Sequence, residues 1–132
     1  GLPGIPLAIT NPQKQFLLVE SNTKKASFLL NTVTKLNLHN TEVINDRIEN
    51  IDSSNFPDRF DIVSRAVGSV EANIALTEQL LKKKGVYLKL MKTEDQFFKE
   101  HLPTGYNVKK IDKYLTKTKD KTRILVTIEK VQ

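Results

Sequence analysis

Phe16-Leu17-Leu18-Val19-Glu20-Ser21-Asn22, running on into Thr23-Lys24-Lys25-Ala26-Ser27-Phe28-Leu29-Leu30, decides the fold of this chain. Four consecutive apolar residues have the length of a short buried strand. The run ends in a carboxylate and then in Ser21 or Asn22, either of which can cap a helix by accepting a hydrogen bond from a first-turn N–H. That helix is predicted to reach about Leu36, with Ala26, Leu29, Leu30, Val33 and Leu36 on one face. A strand passing directly into a helix is one half of a βαβ unit, and the pattern recurs along the chain. Val43-Ile44, Ile62-Val63, Val86-Tyr87-Leu88 and Ile124-Leu125-Val126-Thr127-Ile128 read as further strands, and Ser69 as the cap of a second helix. Lys82, Lys83 and Lys84 are expected in the last turn of that helix, with Gly85 just past it as a left-handed cap. A short third helix is predicted from Glu94 to His101, ended by Pro103, and the strands from Tyr106 on are separated by a polar hairpin at Thr116 to Thr122. Alternating strands and helices predict an α/β protein with a parallel sheet.

The 132 residues, 39% hydrophobic and 27% charged, suit one folded domain spanning 1–132. No repeat, low-complexity tract or linker divides it, and apolar runs of four are far short of a membrane span. With no cysteine and two histidines there is no disulfide framework or thiolate metal site, and a zinc site is not expected. A reducing, cytoplasmic setting fits. The net charge of +6 is unevenly spread, with 7 Lys/Arg against 9 Asp/Glu in residues 1–81 and 14 against 6 in residues 82–132. Lys82, Lys83, Lys84, Lys109, Lys110, Lys113, Lys117, Lys119, Lys121 and Arg123 would give a field suited to a polyanion such as RNA, or simply a solvated surface.

In such sheets ligands bind beyond the carboxyl ends of the strands, so the residues just after each strand are the candidates. Gly1 and Gly4 flank the start of a first helix, with Pro3 or Pro6 preset for its first turn and Leu7, Ala8 and Ile9 as its apolar body. Glu20 ends the first strand, where a carboxylate can accept from both hydroxyls of an adenosine ribose. Asp46-Arg47-Ile48-Glu49 follows the next strand and Ser64-Arg65-Ala66 the one after it. Each alone also fits a solvated strand end. A nicotinamide-dependent oxidoreductase would use the same turn and acid, yet the chain offers no hydride-transfer partner.

Gly1-Leu2-Pro3-Gly4-Ile5-Pro6-Leu7-Ala8-Ile9, Leu18-Val19-Glu20-Ser21 with Lys24-Lys25 and Phe28-Leu29, Arg47-Ile48-Glu49, and Phe60-Asp61-Ile62-Val63-Ser64-Arg65-Ala66 together resemble, in order and spacing, the bacterial glucose-inhibited-division protein B family. Its members are 16S ribosomal RNA guanine-N7 methyltransferases. The resemblance implies a class I, Rossmann-like methyltransferase fold, with a seven-stranded sheet of order 3-2-1-4-5-7-6 and an antiparallel last strand. It also implies S-adenosyl-L-methionine as cofactor, 16S ribosomal RNA as partner, no metal, no membrane and a monomer. Carried over by position, it puts Gly1 and Leu2 in the cofactor loop, Glu20 on the ribose, Ile48 and Glu49 at the adenine and Arg65 at the methionine end. Lys24, Lys25, Lys92, Lys109 and Lys110 are the expected RNA contacts, Lys92 standing in for a family lysine that precedes a glycine at the end of the fifth strand.

Family members begin with several helices and a strand ending in a glycine-rich turn, and here only the end of that turn is present. The chain is therefore expected to be part of a longer protein; an intact mass near 15.0 kDa for the isolated protein would oppose this. A non-catalytic RNA-binding fragment or degenerate paralogue is the alternative. The lack of an acid/base pair fits the implied chemistry. Guanine N7 carries a free lone pair at neutral pH, so methyl transfer needs in-line placement and exclusion of water and no general base.

Overall fold

The computed structural model describes residues 3–65, 68–114 and 122–131. The chain forms two compact units, residues 1–52 and 53–132.

In the first unit, helix α1 (Gly4–Thr10) leads to strand β1 (Phe16–Val19), helix α2 (Thr23–Lys35) and strand β2 (Thr41–Ile44), followed by a single 3₁₀ turn over Ile48–Asn50. β1 and β2 pair in parallel with Phe16 opposite Thr41 and Val19 opposite Ile44. Asn22 is the cap of α2, accepting from the Lys25 N–H at 3.0 Å. Ala26, Leu29 and Val33 form the buried stripe of α2, as the sequence pattern predicts. Leu30 and Leu36, expected on the same face, are exposed, as is Ile9 of α1. Leu30 and Leu36 sit at the margins of a narrower stripe, and α1 buries only Ile5 and Ala8. A Cβ at Gly4 would collide with Leu18 Cδ2, so α1 lies close against β1 there and a larger residue would have to push the end of the Leu18 side chain aside.

This unit is also held by a buried amide that the sequence pattern did not reveal. The two protons of Asn40 Nδ2 are shared among the carbonyls of Ala8, Asn11 and Lys14 at 3.0–3.1 Å, tying the α1–β1 connection to the residue before β2. Loops bury backbone carbonyls only when something satisfies them, and here one side chain serves three.

In the second unit, strand β3 (Phe60–Ser64), helix α3 (Val70–Leu81), strand β4 (Val86–Thr93), helix α4 (Glu94–Phe98), strand β5 (Tyr106–Tyr114) and strand β6 (Arg123–Lys130) build a four-stranded sheet of order β3-β4-β6-β5. β3 and β4 are parallel; β6 runs antiparallel to both β4 and β5. Alternation along β4 and β6 sends Val86, Leu88, Leu90, Ile124, Val126 and Ile128 into one core with Val70, Ile74 and Leu81 of α3. Ser69 caps α3 by accepting from the Ala72 N–H at 3.0 Å. The helix stops at Leu81, so Lys82 to Lys84 lie beyond its last turn; Gly85 does take a positive φ, +89°. α4 is shorter than predicted because Lys99 already closes it, its N–H reaching the Gln96 and Phe97 carbonyls before Pro103 is met. Most of the expected hairpin, with Lys117, Lys119 and Lys121, lies outside the described residues. Among the described residues no helix is long and apolar enough to cross a membrane, and no three His, Cys, Asp or Glu side chains group so as to hold a metal ion.

Candidate functional site

In the first unit the carboxyl ends of the two parallel strands lie level, because the Glu20 N–H extends the ladder by donating to the Ile44 carbonyl at 2.9 Å. Glu20 is half-buried, and its Oε2 accepts from the Asn22 N–H at 3.0 Å. That bond fixes the carboxylate at the strand-to-helix turn. The same carboxylate lines a cleft of about 440 Å³ together with Lys24, Lys25, Phe28 and Leu29 of α2. Leu29 is its floor, whereas Phe28 is 69% exposed, an apolar wall beside two cations.

Beyond β2, Asp46 organises the next turn. Its Oδ1 accepts from Asn50 Nδ2 at 3.0 Å and from the Arg47 N–H at 2.7 Å. Those bonds, the one from Asn50 first, hold its carboxyl below the ordinary carboxylate value. They shape the 3₁₀ turn that presents half-buried Ile48 and exposed Glu49. Glu20, Ile48 and Glu49 thus all follow the carboxyl ends of one parallel strand pair. Gly1 and Leu2 lie outside the described residues.

In the second unit Arg65 directly follows β3 and is exposed, and no carboxylate among the described residues pairs with it. Lys109 sits where the β5–β6 register shifts between Val108 and Lys110; its Nζ donates to the Tyr87 hydroxyl at 2.8 Å and lies 4.1 Å from the centroid of that ring. The hydroxyl contact raises its pKa. Lys110 pairs with Asp112 at 3.4 Å and stays 67% exposed. Lys113 is tied to Glu94 at 2.9 Å, and Lys83 donates to the Ser53 carbonyl at 2.8 Å, so part of the basic surface serves local structure.

Lys92 requires a correction. It was expected to face RNA, but its side chain is only 4% exposed and is ion-paired with Glu100, with Nζ also donating to the Gly68 carbonyl at 3.3 Å. The reason is period two: Val86, Leu88 and Leu90 point into the core, and Lys92 is next in that register. Glu100 itself gave no signal, since its link to Lys92 crosses a helix and follows no periodicity.

Strand-to-helix units with polar residues at the strand ends define an α/β architecture, and solved structures sharpen it to the Rossmann-like methyltransferase fold. Sp1610 of Streptococcus pneumoniae superposes with a TM-score of 0.66 at 15% identity, over 98% of this chain and 59% of that one. The M. jannaschii TYW2 structure, solved in complex with AdoMet, gives 0.53 at 14% identity over 96% of this chain and 63% of that one. The chain belongs to the GidB family, rRNA small subunit methyltransferase G, whose model matches residues 1–126. Ribosomal RNA small subunit methyltransferase G of Hydrogenovibrio crunogenus is 37% identical over all of this chain and 60% of its own length. The protein of the same name from Legionella pneumophila strain Corby is 46% identical over 67% of this chain and 41% of its own length. The chain therefore spans about 60% of the length of the relative it matches from end to end.

Proposed function

We propose that the protein transfers a methyl group from S-adenosyl-L-methionine to N7 of a guanine in 16S ribosomal RNA, acting in the cytoplasm as a monomer. Both units belong, in this reading, to one methyltransferase domain. The observation that carries it is the row of Glu20, Ile48 and Glu49 at the level ends of β1 and β2, in a chain of the GidB family. The strand orders β1-β2 and β3-β4-β6-β5 agree with those required of the second to seventh strands of a 3-2-1-4-5-7-6 sheet. A crystal structure of the full-length protein tests that order.

The residues present fit the cofactor chemically. Glu20 is an acceptor-only group whose orientation is already fixed by the Asn22 N–H, suiting two adjacent ribose hydroxyls. Ile48 offers apolar surface to an adenine face, and Glu49 an acceptor for its amino group. Bound there, S-adenosylmethionine supplies a methyl group on a positively charged sulfur. The work left to the chain is placement, since guanine N7 attacks with its own lone pair. Arg65 is assigned to the methionine end. An arginine reading both O6 and N7 would mask the nucleophile, so Arg65 contacts O6 or the cofactor carboxylate and leaves N7 bare. The target base has to be in a loop or flipped out, because the A-form major groove is too deep and narrow for side chains. Lys24, Lys25, Lys109 and Lys110, exposed on α2 and β5, are the assigned phosphate contacts.

The test is methyl transfer by the full-length protein to 16S RNA from cells lacking this enzyme, with the product mapped as N7-methylguanine. Arg65→Ala is expected to lower transfer by more than it lowers RNA binding; equal losses contradict the role of Arg65. RNA binding without cofactor binding or transfer would favour the non-catalytic paralogue.

A further inference from the structure

Lys92–Glu100 is the most buried ion pair among the described residues, its side chains 4% and 20% exposed, and neither residue takes part in the cofactor or RNA contacts assigned above. Lys92 is the next-to-last residue of β4, and Glu100 follows α4 by two positions. Both ends of the pair also hold the backbone of a third segment. Lys92 Nζ donates to the Gly68 carbonyl at 3.3 Å, and Glu100 Oε1 accepts the Val70 N–H at 3.0 Å. The pair thus grips the chain on either side of Ser69, where the β3–α3 connection enters its helix. That connection begins at Ser64 and Arg65.

We propose that Lys92 and Glu100 are positioning residues for methyl transfer, fixing the far end of the loop that carries Arg65. The inference rests on the enzymatic reading above, in which Arg65 lies beside the reacting groups. An ionic pair does here what an apolar pair cannot, because only charged or polar groups supply a donor to the Gly68 carbonyl and an acceptor to the Val70 N–H. The α3 N-terminus also favours the Glu100 carboxylate, while Ser69 satisfies the Ala72 N–H, so the helix entry is fixed at two first-turn donors. Gly68 has a φ of +87°, a backbone conformation that favours glycine just before the α3 cap. For a reaction driven by placement, small displacements of a positioning group cost rate rather than binding.

The test uses the full-length protein with the double variant Lys92→Met/Glu100→Leu. Replacing a buried ion pair by apolar residues of similar size commonly leaves a fold intact, so this variant removes both backbone anchors without stranding a charge. With active molecules counted by calorimetric titration of S-adenosylmethionine, kcat is expected to fall by about 10- to 100-fold while KM for the cofactor stays within about threefold. Amide exchange across residues 64–70 is expected to rise in parallel. Unchanged kcat in the folded double variant overturns the proposal, and so does a kcat loss with unchanged exchange in that segment. Should the double variant not fold, Lys92→Met/Glu100→Gln, which keeps an acceptor for the Val70 N–H but removes the donor to the Gly68 carbonyl without stranding a charge, is read the same way, with an expected loss of about 3- to 10-fold. A wild-type control that transfers no methyl group defeats the enzymatic reading itself, which separates that failure from failure of the positioning role.

Discussion

The two units are held together by different means. Among the described residues, 53–132 bury nine apolar side chains in one cluster, with Leu90, Ile124, Val126 and Ile128 at 0% exposure. The described residues of 1–52 bury Ile5, Leu29 and Val33 in theirs, and every residue of β1 is merely half-buried. In the smaller unit a hydrogen-bonding side chain, Asn40, does much of what apolar area does in the larger one. Charge divides the same way. Residues 1–52 carry 5 Lys/Arg and 5 Asp/Glu, so the net +6 resides wholly in residues 53–132. The neutral unit carries the carboxylates assigned to the cofactor, and the basic unit carries Arg65 and a lysine-rich edge strand. The charge does not separate the proposed roles cleanly, since Lys24 and Lys25 lie in the neutral unit and Arg65 in the basic one.

The largest expected effect that tests this contrast is on stability. Leu90→Ala, at a site with no exposed surface, should cost about 4 kcal/mol, and Leu29→Ala, beside an open cleft, about 2 kcal/mol. Urea unfolding with one probe in each unit measures both, and equal losses would erase the distinction. Next comes Asn40→Ala, which leaves three carbonyls without their shared donor and should cost about 2 to 3 kcal/mol. A loss below about 0.5 kcal/mol would mean that water replaces the amide at little cost. Smaller in free energy is the joint change Lys109→Ala/Lys110→Ala. It should weaken RNA binding and flatten the dependence of log K on log salt by about 1.4, two phosphate contacts at roughly 0.7 each. An unchanged slope would return both lysines to the plainer task of protecting an exposed edge strand.

The smallest effect concerns Asp46. Its folded pKa is depressed below 3.8, so its contribution to stability is complete above that value and is lost as pH falls through the lower folded value. Asp46→Ala should therefore lower stability slightly and evenly at pH values above about 4, and the gap to wild type should close as the pH falls below that. Acid titration of stability that is identical in wild type and variant would contradict the assignment.

Much of the architecture was legible because the decisive signals are local. Four apolar residues, a carboxylate and an asparagine cap specify β1, the turn and α2 without reference to the rest of the chain. The order of strands and helices follows from repetition of that signal. Long-range polar contacts were not legible, since nothing in the neighbourhood of Asn40 announces three carbonyl partners between residues 8 and 14. Lys92 is the instructive case. Its match to a family lysine suggested an RNA contact, while the register of Val86, Leu88 and Leu90 already placed it on the buried face. Extending the predicted strand four residues past Leu88 would have recovered its burial, though not its partner Glu100. Among the candidate site residues, Glu20, Ile48, Glu49 and Arg65 were legible as strand-end positions. Phe28 and Leu29 were visible as part of the same block, but the cleft they share with Glu20 depends on how α2 is set on β1.

The central claim is that the strand-end carboxylate Glu20 belongs to a cofactor site, and calorimetric titration of S-adenosylmethionine into the full-length protein and its Glu20→Ala variant tests it most directly. The account predicts one site per chain in the wild type. It predicts a loss in the variant of at least about tenfold in affinity, in line with hydrogen bonds to a charged acceptor, with little change in thermal stability. Equal affinity in the two proteins, or no binding by the wild type, would contradict it.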